Sequence, residues 1–171
     1  KVRAFVSSGF AGPTGRPISL ASFLLDANTW PANPYPFKYT NLLIHLLNGV
    51  LLCWAILLLL RNYAYEEQKA VWIAILATAF WLLHPYMVST TLYIVQRMAQ
   101  LATLFSLVGI IGYLKARQAL ATRPITAYLG IMVAIGAGTI LATYSKEHGA
   151  LLPLLILVIE FCNPNQTNKP I

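Results

Sequence analysis

The most constraining feature of this sequence is a series of long apolar segments that are almost free of charged residues. Four of them cover residues 39–60, 70–88, 98–114 and 125–144. About 20 consecutive apolar residues cross the hydrocarbon core of a bilayer as an α-helix. Because lipid offers a backbone no hydrogen-bond partner, an unpaired segment of this kind must be helical where it spans a membrane. The four segments therefore predict four transmembrane helices.

A fifth apolar segment, residues 150–162, is shorter and contains Pro153 and Glu160. It predicts a tilted or partly buried span, or a re-entrant piece. Composition supports the membrane assignment, because 58% of the residues are hydrophobic and only 10% are charged, whereas soluble domains carry about 25% charged residues. The sequence thus predicts an all-α membrane protein in which residues 38–162 form a bundle of four to five transmembrane helices.

The two ends of the chain differ from this bundle. Residues 1–37 are rich in glycine and proline and predict an outer-face loop. Within it, residues 18–30 have helical spacing and follow Arg16-Pro17, which predicts an N-terminal interfacial helix. The prolines of residues 30–37 predict little helix there. Because the chain starts with Lys1, we expect a middle section of a longer protein, with residues 163–171 as a tail leading to a further C-terminal part.

The formal net charge is +7, and the cations lie beside apolar runs rather than in one cluster. This pattern is typical of helix anchors at a membrane surface and argues against nucleic acid as a partner. The charged connections 61–69 and 115–123 predict the cytoplasmic side, which places the other connections on the outer face. Half of the Lys and Arg residues nevertheless fall outside, so these outer cations need another role, such as holding an anionic ligand. They are Lys1, Arg3, Arg16, Lys38, Arg97 and Lys146.

Three polar side chains share one face of the first predicted span: Asn41, His45 and Asn48. Polar groups at membrane depth face the protein interior or a wet cavity. Two interpretations stay open, namely hydrogen bonds between helices and residues that line a functional cavity. Cys53 and Cys162 lie in apolar runs without metal-ligand spacing, which predicts buried free thiols rather than a disulfide, and no metal site.

Two further polar positions lie at helix ends on the predicted outer face. Proline ends the second span at His84-Pro85, where the histidine caps the helix or faces a neighbour. Gln96-Arg97 opens the third span. A helix N-terminus together with an arginine is a good anion site, although an arginine that reaches the lipid headgroups is the alternative.

The connection after the fourth span is also polar, with Lys146, Glu147 and His148 in a row. It predicts either a solvated turn or a set of side chains that pair with Arg97 or with a ligand phosphate. The small residues Ala134, Gly138 and Ala142 of the fourth span predict close helix packing.

These polar landmarks, in this order, resemble the polytopic membrane proteins with C-terminal tetratricopeptide repeats, a family of the GT-C glycosyltransferase superfamily. The animal members of that family are O-mannosyltransferases, and it also has bacterial members. The matching segments are spread over nearly the whole chain. They are GRPISL at 15–20, NLLIHLLN at 41–48, LHP at 83–85, QR at 96–97 and YSKE at 144–147.

The resemblance implies an enzyme of the bacterial inner membrane that takes a sugar from a polyprenyl-phosphate carrier at the periplasmic face. The acceptor is a protein or a glycan. Cations must bind the lipid phosphate, and Arg97, Lys146 and Arg16 are the candidates. A carboxylate must act as base or hold a divalent metal near the acceptor. The remaining polar residues are expected to orient these groups or line the cavity: His45, Asn41, Asn48, His84, Gln96, Glu147 and His148.

The sequence departs from the family pattern in its acidic residues. The family carries its key acids in the first outer loop, after a first transmembrane helix, whereas the one aspartate here is Asp26 in the predicted interfacial helix. We therefore expect the catalytic base upstream of Lys1 and no activity from this section alone. The alternative is a non-catalytic accessory subunit whose apolar faces contact other membrane subunits. A transporter is disfavoured, because paired helix breaks in two related halves are not evident.

Overall fold

The computed structural model describes residues 15–27 and 32–162, and helices are the only regular elements in those two stretches. This confirms the all-helical class. Short 3-10 turns lie at Ile94–Gln96, Ala119–Ala121 and Glu147–Leu151. The α-helices are α1 (Pro17–Leu24), α2 (Pro34–Asn62), α3 (Glu67–Leu83), α4 (Tyr86–Leu92), α5 (Arg97–Gln118), α6 (Pro124–Ser145) and α7 (Leu152–Phe161).

Three helical stretches are long and apolar enough to cross a membrane: Pro34–Asn62, Ile94–Ala121 and Pro124–Ser145. A fourth exists if α3 and α4, which are bent by 66° relative to each other, form one broken span. Helix α7 has 10 residues, or about 15 Å of helix, which is half of a hydrocarbon core of about 30 Å. The described residues thus hold three or four candidate spans, where the sequence predicts four to five.

The proline-rich stretch before α2 contributes more helix than the sequence predicts. Helix α2 begins at Pro34, and the side chain of Asn33 caps it by accepting the Tyr35 N–H at 3.0 Å. Prolines are tolerated there because the first N–H groups of a helix have no acceptor within it. Helix α1 covers Pro17–Leu24, whereas the predicted helix covers residues 18–30, of which 28–30 lie outside the described part.

Helix α5 is the central element of the bundle. It packs against α6 along most of its length and against α2 on another side, while α3 packs against α2. Many apolar side chains on the other faces of these helices are exposed, as expected for surfaces that contact lipid. The buried core lies between α2, α5 and α7. It consists of Ala55, Leu58, Leu107, Ile111, Tyr113, Leu114, Leu152 and Ile156.

Small residues let α5 and α6 approach closely. A Cβ atom added to Gly138 would lie 3.1 Å from the Cα of Gly109, and Leu152 of α7 covers both glycines. The following turn is tighter still, because a Cβ on Gly149 would lie 2.2 Å from the carbonyl carbon of Ala142. The predicted role of Gly138 and Ala142 in close packing is therefore confirmed.

The bundle has two chemically different ends. We call the end formed by α1, the start of α2, the α3–α4 bend, the start of α5 and the turn after α6 the polar end. At the opposite end Arg117 pairs with Glu160 at 2.8 Å, and Tyr63 donates to the Cys162 carbonyl at 2.8 Å. Lys115 lies 4.3 Å from the ring centre of Trp54. Both cysteines are free thiols as predicted, but the predicted burial is wrong, because Cys53 is half-buried and Cys162 is exposed at the end of α7.

Candidate functional site

The guanidinium of Arg97 lies inside the polar end and is completely buried. Its Nε donates to the Asn41 side-chain oxygen at 2.8 Å, and Nη1 and Nη2 donate to the carbonyls of Ser22 at 3.0 Å and Phe37 at 2.8 Å. Nη2 also forms an ion pair with Asp26 at 2.6 Å. We call these five residues the Arg97 cluster. It joins α1, α2 and α5.

The surroundings of Arg97 explain why a cation is stable at the start of a helix, which is the unfavourable end for positive charge. Asp26 supplies the opposite charge and is itself held by the Thr40 hydroxyl at 3.0 Å. The Ser22 carbonyl belongs to the last turn of α1, where carbonyls lack helical partners. The rings of Phe23 and Phe37 lie 5.0 and 5.5 Å from the guanidinium carbon. Every nitrogen of this guanidinium therefore has a protein partner, so binding a lipid phosphate, as predicted for Arg97, requires displacing Asp26.

The polar face of α2 contacts backbone groups near the helix break. Asn41 donates to the Tyr93 carbonyl at 3.2 Å, and the His45 Nε2 lies 3.3 Å from the Leu82 carbonyl oxygen. Because a carbonyl only accepts, that histidine nitrogen carries the proton. One turn further along, Asn48 donates to the carbonyl of Gln100 at 3.0 Å. These bonds support the interpretation of the polar face as hydrogen bonding between helices, and the Leu82 carbonyl lies in the last turn of α3, where carbonyls lack helical partners.

The two other predicted residues near the break are His84 and Gln96, and His84 bonds to the local backbone. The Nδ1 of His84 accepts the Tyr86 N–H at 3.2 Å, and its ring meets Phe80 edge-on with centres 5.6 Å apart. Gln96 is half-buried in the 3-10 turn that precedes α5. Neither residue lines the groove described next.

A groove runs along α5 beneath the turn that follows α6. Its volume is about 360 Å³. Lys146 and His148 lie at one end of the groove. The groove follows α5 from Ala99 to Ile110, which is roughly 16 Å at 1.5 Å per residue. Apart from the hydroxyls of two residues on α5, the rest of its lining is apolar. The complete lining is Ala99, Ala102, Thr103, Ser106, Leu107, Ile110, Lys146, His148, Gly149 and Leu155.

The charges at this groove are unevenly paired. Within residues 15–27 and 32–162, the side chains of Lys146 and His148 have no hydrogen bond or ion pair. Beside them, Arg16 forms a two-pronged ion pair with Glu147, with Nε–Oε1 at 3.0 Å and Nη2–Oε2 at 2.8 Å. The groove therefore has an apolar length and a positively charged end, which is the arrangement that suits a lipid with a phosphate headgroup.

Helix α1 is held against this region by a further bond that the sequence does not predict. The Ser19 hydroxyl donates to the Ser145 carbonyl at 2.8 Å, and both residues are fully buried. The role of Asp26 as the partner of Arg97 was also missed. Asp26 is the one aspartate of an apolar chain, and this indicates a cationic partner, because a charge in such surroundings needs an opposite charge.

Of the predicted site residues, Lys146, His148, Arg16 and Glu147 come together at the groove. Arg97 and Asn41 form the separate buried cluster, and His45 and Asn48 lie deeper along α2. Comparison of the chain with protein-family models, curated proteins and solved structures finds no match. The resemblance to the glycosyltransferase family therefore rests on the sequence segments given above.

Proposed function

We propose that this chain is part of a membrane glycosyltransferase that takes a sugar from a polyprenyl-phosphate carrier and transfers it to a protein or glycan acceptor. The observation that carries the proposal is the groove, whose apolar length leads to the side chains of Lys146 and His148, which have no hydrogen bond or ion pair within residues 15–27 and 32–162. The polar end then faces the periplasm of a bacterial inner membrane. The resemblance of several sequence segments to the glycosyltransferase family supports the same proposal.

The groove matches the two parts of such a carrier. A phosphate near a membrane surface is bound well by an ammonium group, which donates charge-assisted hydrogen bonds. The apolar lining is about as apolar as the surrounding lipid tails, so the first isoprene units enter the groove from the bilayer at little cost. In this proposal the phosphate contacts Lys146 and His148, the first isoprene units lie along α5, and the rest of the chain stays in the bilayer.

The transfer itself needs groups with separate tasks. The acceptor hydroxyl oxygen bonds to the anomeric carbon of the sugar, the bond from that carbon to the phosphate oxygen breaks, and the phosphate leaves with the electron pair. Lys146 stabilises the charge that develops on the leaving phosphate. The proton of the acceptor must pass to a base, and among the described residues of the polar end the carboxylates of Asp26 and Glu147 are each held by an arginine. Arg97 positions the helices of the polar end.

Lys146→Ala tests this proposal, with Lys38→Ala as the matched control. Lys38 is an exposed cation at the same end of the bundle and does not line the groove. A hydrogen bond to a charged group is worth about 1.5–3 kcal/mol, so we expect Lys146→Ala to weaken binding of a prenyl-phosphate sugar about 10- to 100-fold. Lys38→Ala should change it less than about twofold.

The measurement is titration of a prenyl-phosphate sugar into the protein in lipid nanodiscs, followed by native mass spectrometry. If both variants lose the same affinity for the prenyl-phosphate sugar, only the general surface charge matters. The assignment of the phosphate site to Lys146 would then be wrong. The same titration with the uncharged prenyl alcohol shows how much of the affinity comes from the apolar groove alone.

A second candidate function is an accessory subunit that binds the carrier without catalysis. It is favoured by the state of the carboxylates at the polar end, because Asp26 and Glu147 are each paired with an arginine. In each pair the carboxylate oxygens already form hydrogen bonds or ion pairs with protein groups, so they are not free to take the proton of the acceptor hydroxyl. Transfer of labelled sugar by the natural full-length protein would exclude this candidate, and carrier binding without transfer would support it.

A further inference from the structure

The mouth of the groove holds a cation that already has an anionic partner. Arg16 donates to both carboxylate oxygens of Glu147, which lies in sequence between the groove residues Lys146 and His148. Arg16 Nη1 also contacts the sulfur of Met98 at 3.3 Å, one residue before the lining of the groove begins on α5. The ion pair is therefore adjacent to the position proposed for the lipid phosphate.

We infer that Glu147 is an internal counter-ion, which holds Arg16 at the mouth of the groove until a lipid phosphate arrives and replaces the carboxylate. This inference rests on the proposed function, because it concerns the same groove. It makes Arg16 a second phosphate ligand and Glu147 a residue that determines which lipids bind.

The exchange replaces one anionic partner of Arg16 with another. A carboxylate and a phosphate both present a pair of oxygens that fits the two-pronged guanidinium, so Arg16 keeps its hydrogen bonds when the partner changes. The phosphate also meets Lys146, whose side chain has no ion pair among the described residues. The displaced carboxylate has access to water, because the Glu147 side chain is 30% exposed.

Arg16 and Arg97, the two arginines at the polar end, differ in how accessible they are to a ligand. The Arg16 side chain is 24% exposed and the Arg97 side chain is 0% exposed. A ligand can therefore reach Arg16 from solvent or lipid without opening the bundle, whereas it reaches Arg97 only by separating α1 from α2. The exchangeable cation is Arg16.

The backbone at Arg16 provides a pivot for the exchange. Arg16 has φ 46° and ψ 50°, and Gly15 has φ 68°. The left-handed conformation is uncommon for a residue with a side chain and is disfavoured energetically. Helix α1 begins at the next residue and stays attached through the Ser19–Ser145 bond. A change of backbone conformation at residue 16 therefore moves its side chain while α1 remains in place.

The counter-ion makes the groove selective. A lipid must bring at least two anionic oxygens to displace Glu147, so a prenyl alcohol or a neutral lipid leaves the ion pair intact. The test is binding of farnesyl phosphate to the full chain in detergent micelles at fixed ionic strength. Farnesol and inorganic phosphate are titrated in parallel.

Glu147→Gln removes the competing charge, so we expect farnesyl phosphate to bind about fivefold more tightly, the fold-change that matches the upper range for a partly exposed ion pair. Arg16→Gln should weaken the binding of farnesyl phosphate. The double variant Arg16→Gln/Glu147→Gln should not bind it more tightly than the wild type does. Ser19→Ala is the control for loosening of α1, because it removes a bond that carries no charge, and it should not raise the affinity.

The outcomes separate the two proposals. If farnesyl phosphate binds in a Lys146-dependent manner and Glu147→Gln binds no more tightly than the wild type, the counter-ion role is overturned while the proposed function stands. If the wild type does not bind farnesyl phosphate, or binds it independently of Lys146, the proposed function fails first. If Glu147→Gln raises the affinity for inorganic phosphate as much as the affinity for farnesyl phosphate, the proposed selectivity for lipids is overturned.

Discussion

Replacing Arg97 by alanine leaves several buried groups without a partner. The Asp26 carboxylate, whose side chain is 13% exposed, loses its ion pair, and the Ser22 carbonyl and the Asn41 side-chain oxygen lose a donor. Breaking a buried ion pair by removing one partner costs about 3–5 kcal/mol, and each unsatisfied buried acceptor costs about 1–3 kcal/mol. Since water entering the gap offsets part of the sum, we expect a loss of about 4 kcal/mol in the free energy of unfolding.

That loss is large against a total stability of about 5–15 kcal/mol. The assay is unfolding of the detergent-solubilised protein by titration with a denaturing surfactant, followed by circular dichroism. Arg97→Lys keeps the charge but lacks the planar fork, so it should lose about half as much. The double variant Asp26→Asn/Arg97→Met removes both charges and should be more stable than Arg97→Ala, because no unpaired carboxylate remains.

The same variant decides between the two roles of Arg97. The sequence-based hypothesis assigns it to the lipid phosphate and expects carrier binding to suffer much more than folding. The contacts of Arg97 in the structure predict the reverse, namely that folding stability suffers more than carrier binding. An Arg97→Ala protein with wild-type stability and no affinity for a prenyl phosphate would refute the structural reasoning and restore the phosphate assignment.

Two further predictions concern packing and the helix break. Gly149→Ala should lose about 1–3 kcal/mol of stability in the same unfolding assay, because its Cβ would lie 2.2 Å from the Ala142 carbonyl carbon. Gly136→Ala is the matched control, since its Cβ would meet nothing within 4 Å, and equal losses would argue against the clash. His45→Leu should lose about 0.6–1.7 kcal/mol, the range for a hydrogen bond inside a membrane protein. An unchanged midpoint would show that the Leu82 carbonyl finds another donor.

The polar residues of the apolar helices divide into two groups by what they contact. Asn41, His45 and Asn48 bind backbone carbonyls or the Arg97 guanidinium, so their partners are part of the protein itself. Lys146 and His148 have no such partner among the described residues. A sequence pattern does not distinguish these groups, because the residue type alone does not show whether folding brings a partner group to a polar side chain.

The sequence by itself determined the helical class and the positions of the longest helices. Hydropathy is a local property, and lipid permits few backbone structures, so apolar runs at 39–60, 98–114 and 125–144 were sufficient to find α2, α5 and α6. It also located the break at Pro85, since proline interrupts a helix wherever it lies in the interior. Boundaries near Pro34 were missed, because the same residue is tolerated in a first turn.

Only the tertiary structure decided which charges pair and which remain available. Glu147 lies 131 residues from Arg16 in the sequence, and Asp26 is far from Arg97 as well, so no local pattern connects them. A cation in an apolar chain must be paired, snorkel to the surface or bind a ligand, and these outcomes require the same residue type. What separates Arg97, Arg16 and Lys146 is the set of groups that folding brings within about 3 Å of each, a distance set by how helices pack and not by composition.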